Sequence, residues 1–356
     1  MKKKVYLTLE NGTVFQGYSF GASGESTGEL VFSTGMVGYV EAITDPCNYK
    51  KILVQTFPLI GNYGVNYADV ESDKAWVSAY IVREKCDCPS NFRMQTDLDN
   101  FLKEKNVIGV YGIDTRQLTK ILREEGSMKA RISYKPCQDV TEIKNDSVEN
   151  AVDVISPKTT QIFGDKNAKY HIGLINYGTK NSIIQNLTAE NCYVTSMPVN
   201  VTVEEILSQN FDGVVLGDGA GNPAVLTNEI EQVKGLLGKL PIMGLGFGYQ
   251  ILALALGGKV KKQKYGHRGS NQPVKEVEGK RVYVSTQNHD YEVIADGMQG
   301  KVTYVNVNDG SCEGIDCKQL QAFGVQFMPE CCIHGNETNP IYTQFFTMMK
   351  KENENA

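Results

Sequence analysis

Pro241-Ile-Met-Gly-Leu-Gly-Phe-Gly-Tyr-Gln-Ile-Leu-Ala-Leu-Ala-Leu256 decides the fold class. A short apolar run, Pro241 to Leu245, meets a glycine-rich turn, and an apolar helical stretch follows from Gly248 to Leu256, so the segment reads as strand, sharp turn and buried helix. The same alternation runs back towards the N-terminus. Strands are expected at Tyr170 to Asn176, Cys192 to Pro198 and Gly213 to Leu216, and helices at Thr179 to Ala189, Val203 to Gln209 and Thr227 to Leu237. Strands alternating with helices predict a parallel, doubly wound α/β sheet whose ligands bind at the carboxyl ends of the strands. After it, short β-like runs dominate from Lys259 to Gln326, and an amphipathic helix is expected over Pro340 to Lys350.

The N-terminal third has a different rhythm. Lys4 to Glu10 and Thr13 to Gly17 alternate around Asn11-Gly12, a strong two-residue hairpin signal. Further β-like runs at Gly28 to Thr34, Lys51 to Thr56 and Ala75 to Val82 accompany helical spacing at Thr96 to Lys105 and Thr115 to Glu125. The second of those helices is capped by Asp114 and stopped by Gly126. This third is expected to be a mixed α/β domain. From about Gln138 to Asn167 the apolar periodicity fades, so we place one domain at 1–150, a linker at 151–168 and a second domain at 169–356.

At 356 residues the chain is long enough for two domains at about 150 residues each. Its charge of 36 − 41 = −5 gives no basic footprint for nucleic acid. The longest apolar run, Ile251 to Leu256, is far below the roughly 18 residues that span a bilayer, so no membrane association is expected. The opening Met1-Lys-Lys-Lys4 is followed by alternation and an early glutamate instead of a secretory apolar core. With nine irregularly spaced cysteines, the expected compartment is the reducing cytoplasm. Cys86-x-Cys88 and Cys312-x4-Cys317 lack a second pair at zinc spacing, so no metal site is expected. Gly244 to Gln250 does not match the dinucleotide glycine spacing, and Gly217-Asp-Gly-Ala-Gly-Asn-Pro223 lacks the Gly-Lys-Ser/Thr of a phosphate loop.

Taken together, these motifs closely resemble the small, glutaminase subunit of carbamoyl-phosphate synthase. In the first domain the resemblance rests on Glu29-Leu-Val-Phe-Ser-Thr-Gly-Met-Val-Gly-Tyr39, Thr44-Asp-Pro46, Phe57-Pro-Leu-Ile-Gly-Asn-Tyr-Gly64, Ser90-Asn-Phe-Arg93 and Gly112-Ile-Asp-Thr-Arg-Gln-Leu-Thr119. In the second it rests on Gly219-x-Gly221, the Gly244 to Gln250 elbow, Tyr265-Gly-His-Arg-Gly-Ser-Asn271, Gln287-Asn-His289 and Val325-Gln-Phe-Met-Pro-Glu330. It implies a flavodoxin-like class I glutamine amidotransferase domain with a largely parallel sheet behind the N-terminal domain.

The resemblance also implies a catalytic cysteine at the elbow, a histidine two residues before a glutamate, and that glutamate as orienter. The corresponding residues here are Gly246, Met328 and Glu330. Attack on an amide needs a nucleophile, and protonation of the departing ammonia needs a titratable group; glycine and methionine supply neither. The substrate pocket implied by the resemblance comprises Cys47, where the family has serine, the backbone of Gly219 and Gly221, the amide of Phe247, Gln250, Asn288, Asp290, where the family has glycine, and Tyr291. The Asp290 carboxylate would repel the α-carboxylate of glutamine, so glutamine binding is expected to be weak or lost. Tyr249 stands where the family has histidine, and packing beside the site is its expected role. Cys331, Cys332 and His334 lie near Glu330, but a loop past the last strand does not replace the elbow. His267 and His289 are expected to hydrogen-bond locally.

The expectation is therefore a glutaminase-dead small subunit, holding no cofactor itself, that partners a large subunit using ATP and Mg for arginine or pyrimidine synthesis from free ammonia. An active glutaminase with a relocated nucleophile and a free-standing ligand sensor are the alternatives.

Overall fold

The computed structural model describes residues 3–146, 151–279, 281–331 and 339–353. The chain forms two units, one made of 1–149 with 264–269, the other of 150–263 with 270–356.

The first unit is a closed seven-stranded barrel. Its strands are β1 (Lys4–Leu9), β2 (Val14–Gly21), β3 (Ser26–Ser33), β4 (Lys51–Ile60), β5 (Ala79–Lys85), β6 (Ile108–Tyr111) and β7 (Met128–Ser133), arranged β1-β2-β6-β5-β4-β3-β7. β3, β4, β5 and β6 pair in parallel, and the remaining pairings are antiparallel. Period-2 alternation separates two apolar sets. Val5, Leu7, Leu30, Ile52, Ile81, Val110 and Ile132 share one core with Leu118 and Leu122 of α3 (Thr115–Glu125). The opposite faces, with Val31, Leu53 and Tyr80, pack with α1 (Tyr39–Thr44) and α2 (Leu98–Glu104). The expected hairpin forms at Asn11-Gly12, with Thr8 opposite Val14. α3 matches its expected bounds: the Asp114 side chain accepts from Gln117 N, and Gly126 closes the helix onto Leu122 O.

α4 (Thr141–Asn145) belongs to the first unit, and the second opens with α5 (Ala151–Ile155) and β8 (Gln161–Phe163). Residues expected to be linker thus carry structure: β8 pairs antiparallel with β10 (Cys192–Met197) at the edge of the sheet. Three residues are too short for a periodic signal, and their partner strand lies about 30 positions on. The parallel core is β10, β9 (Tyr170–Ile175), β11 (Gly213–Leu216), β12 (Ile242–Leu245) and β17 (Ala322–Val325), in that order. The helices between these strands are α6 (Asn181–Ala189), α7 (Val203–Ser208), α8 (Thr227–Leu236) and α9 (Phe247–Ala255), each within two residues of its expected bounds. An antiparallel extension adds β13 (Lys259–Glu276), β14 (Val282–Ile294), β15 (Lys301–Asn306) and β16 (Cys312–Cys317); two of these are much longer than the short runs expected. α10 (Pro340–Asn353) closes the described chain. Among the described residues no helix is long and apolar enough to cross a membrane.

Strand register sets the site. Ile175 lies opposite Leu216, Leu216 opposite Gly244, and Leu245 opposite Val325. The turns after β9, β11, β12 and β17 therefore leave the sheet at one edge, where α/β sheets bind ligands. Lys180, Asp218, Gly246 and Glu330 sit in or just beyond those turns.

Candidate active site

Gly246 links β12 to α9 with φ +53° and ψ −110°. Residues with a side chain rarely hold this conformation, and at an elbow it lifts residue 246 above the sheet. The turn is tight because α9 lies almost on β11: a Cβ on Gly248 would stand 2.7 Å from Gly217 O. Only glycine permits that approach. Gly246 N donates to Val325 O at 3.0 Å, tying the elbow to β17.

Asp218, not singled out by the sequence, dominates the space above the elbow. One carboxylate oxygen, Oδ1, accepts the backbone N–H of Gly219 at 2.9 Å and of Phe247 at 3.0 Å. These are two of the backbone groups that the resemblance assigns to the substrate. A Cβ at position 246 would lie 2.7 Å from Asp218 Cγ and 3.0 Å from Oδ2, so the carboxylate fills the space a catalytic side chain would need. The other oxygen faces Lys180, with Nζ 3.9 Å from Oδ2. Nζ also donates to Glu330 Oε1 at 2.8 Å. The side chains of Lys180, Asp218 and Glu330 are 2%, 7% and 1% exposed, so this is a buried arrangement of two carboxylates around one ammonium. Charges taken from water in this way persist only when paired and hydrogen-bonded. Glu330 Oε2 is nevertheless buried with no hydrogen-bond partner among the described residues.

Glu330 thus meets a lysine, where the resemblance implies a histidine as its partner. Met328 is buried and its N–H donates to Thr286 O at 3.0 Å, an isolated bridge between β14 and the segment after β17. Gln250 uses its amide nitrogen within the protein, donating to Tyr291 O at 2.9 Å and Gln326 Oε1 at 2.8 Å. Asn288 and Asp290 are half-buried and alternate along β14 with buried Gln287 and His289, so they occupy the opposite face of the strand. The ring nitrogens of His289 lie 2.9 Å from Tyr291 O and 3.1 Å from Gln287 Oε1. Gly221 adopts φ +97° and is exposed. Cys47 belongs to the first unit, buried in the turn Pro46–Asn48, where its N–H donates to Asp45 Oδ1 at 2.9 Å.

Of the candidate substitutes, Tyr249 is the one whose side chain is described. Tyr249 is fully buried, and its hydroxyl donates to Cys312 O at 3.1 Å. Burial drives its phenol well above the ordinary range, so it packs and does not act as a base. Burial likewise pushes the Cys192 thiol up to about 12 and raises that of Cys312. Such thiols hold almost no thiolate at neutral pH. Cys332, His334 and the Cys331 side chain lie outside the described residues.

Sequence reading missed Asp218 and Lys180. A signal was present in both cases: an acidic residue between two glycines where a strand ends, and a lysine at the start of a helix in a turn of the same type. What was not legible is that the fold brings them within 4 Å of each other.

The comparisons agree with this layout. Residues 7–132 match the family model described as carbamoyl-phosphate synthase small chain, CPSase domain, and 173–348 match glutamine amidotransferase class-I. The chain is 42% identical over 345 residues to the carbamoyl phosphate synthase small chain of Clostridium perfringens (strain 13 / Type A), covering 96% of this chain and 98% of that one. It is 42% identical over 359 residues to the small chain of Listeria monocytogenes serotype 4b (strain F2365), covering 99% of each. With the pyrimidine-specific small chain of Bacillus subtilis (strain 168) it shares 39% identity over 356 residues, covering 98% of this chain and 96% of that one. With a barrel domain ahead of an amidotransferase sheet, and identity sustained from end to end, the chain belongs to the carbamoyl-phosphate synthase small-chain family.

Proposed function

We propose that this small subunit has lost glutaminase activity and serves as the partner of a large, ATP-using synthetase subunit that takes ammonia from solution. One observation carries the reading. The two N–H groups that would polarise a substrate amide are both held by Asp218 Oδ1, beside an elbow that carries no thiol. Amide hydrolysis needs a nucleophile, a group to protonate departing ammonia and free donors for the developing oxyanion. In this reading Gly246 removes the first, Met328 the second and Asp218 the third. Among the described residues, burial raises the thiols of Cys192 and Cys312, which argues against either of these two as a relocated nucleophile.

The large subunit, in this reading, holds ATP and Mg and makes carbamoyl phosphate from bicarbonate and ammonia, and this chain holds no cofactor. The name of the Bacillus subtilis relative favours pyrimidine synthesis as the destination. The test reconstitutes the chain with its large subunit and follows carbamoyl phosphate and glutamate with glutamine or ammonium as nitrogen source. Synthesis is expected with ammonium, and no glutamate release with glutamine. Glutamate appearing in step with carbamoyl phosphate would overturn the proposal.

A further inference from the structure

We propose that Asp218 is an internal ligand: its carboxylate fills an anion-binding hole at the elbow that would otherwise admit a small carboxylate or the oxyanion of an acyl substrate. The hole has three parts. Gly219 N and Phe247 N point at one place from two different turns, and the oxygen found there sits 2.9 and 3.0 Å from them, the spacing expected of an oxyanion and its donors. That place lies at the start of α9, a nine-residue helix whose first N–H groups have no partner within the helix and whose dipole favours negative charge. Lys180 Nζ, buried on the far side, adds a full positive charge 3.9 Å from Oδ2.

These donors would be costly to leave unmet in a dry site. Asp218 meets them from within the chain and leaves no room above residue 246, where a Cβ would already fall within 2.7 Å of its Cγ. Substrate exclusion is therefore a property of Asp218 itself and not only a by-product of the missing thiol. The inference rests on the proposed loss of glutaminase only for its functional meaning. The anion hole can be tested without any turnover.

The experiment compares the thermal midpoints of the full-length wild-type chain and the Asp218→Ala variant in sodium formate and in sodium chloride of equal ionic strength. Removing the carboxylate leaves a space of formate's size. We expect Asp218→Ala to melt below wild type, and formate to raise its midpoint saturably, by about 3 °C or more at concentrations well above Kd, while wild type responds equally to the two salts. Equal responses of wild type and variant would overturn the inference. Should Asp218→Ala not fold, hydrogen exchange on the wild-type chain supplies the reading. The Gly219 and Phe247 amides are expected to exchange as slowly as the central strands, and rapid exchange at both would overturn it. Glutamate release by the wild-type chain would sink the proposed function and leave the formate result standing. A formate-blind Asp218→Ala beside a wild type silent on glutamine would sink this inference alone.

Discussion

Gly246 and Asp218 constrain each other. The elbow needs φ +53°, which a side-chain-bearing residue adopts only with strain, and the space above it is already taken by a carboxylate. Restoring the thiol alone therefore adds strain and a clash without adding chemistry. Gly246→Cys is expected to lower stability by about 1–3 kcal/mol, read by denaturant titration, and to release no glutamate. Gly246→Cys/Met328→His should remain silent as long as Asp218 holds the Gly219 and Phe247 amides. Glutamate release from that double variant would show that Asp218 does not block the centre.

At the scale of elements, the carboxyl ends of the parallel strands gather the site, and a separate element of the first unit gives a measurable pH dependence. Glu41 stands in the first turn of α1, and its Oε2 is buried without a hydrogen-bond partner among the described residues. Burial pushes its carboxyl from an ordinary 4.5 up to about 7; its own backbone amide lowers it, Asp69 and Glu71 raise it, and Arg93 lowers it. The folded state thus holds this proton more tightly than the unfolded chain. The resulting stability is fully present below pH 4.5 and is lost as pH rises through about 7. Glu41→Gln keeps the shape without the titration, so its stability should fall less than that of wild type between those two pH values. Parallel stability curves for wild type and Glu41→Gln would show that the carboxyl does not titrate in that window.

On the scale of the whole molecule, the seven cysteines whose state is described are all free, and Cys47, Cys192, Cys312 and Cys317 are buried. Brief alkylation of the native chain at neutral pH should label exposed Cys88 and spare Cys192 and Cys312, whose thiols burial keeps protonated. Peptide mapping checks this. Rapid labelling of Cys192 or Cys312 in the folded chain would show that burial does not suppress their thiolates.

What the residue order determined by itself is what local physics can encode. Asn11-Gly12 fixed a hairpin, Asp114 and Gly126 bounded α3, and apolar runs of four to ten residues between turns laid out the parallel strands and their helices. That glycine and methionine stand at 246 and 328, where the resemblance implies cysteine and histidine, was legible only through that resemblance and not from local physics. β8 was not legible, since three residues become a strand only when a distant edge accepts them. Nor was the filling of the hole. Lys180 meets Glu330 across 150 positions, and Asp218 reaches Phe247 across 29. Those pairings depend on which strand ends lie side by side, and strand order is settled by packing the whole sheet, to which no single stretch of sequence has access.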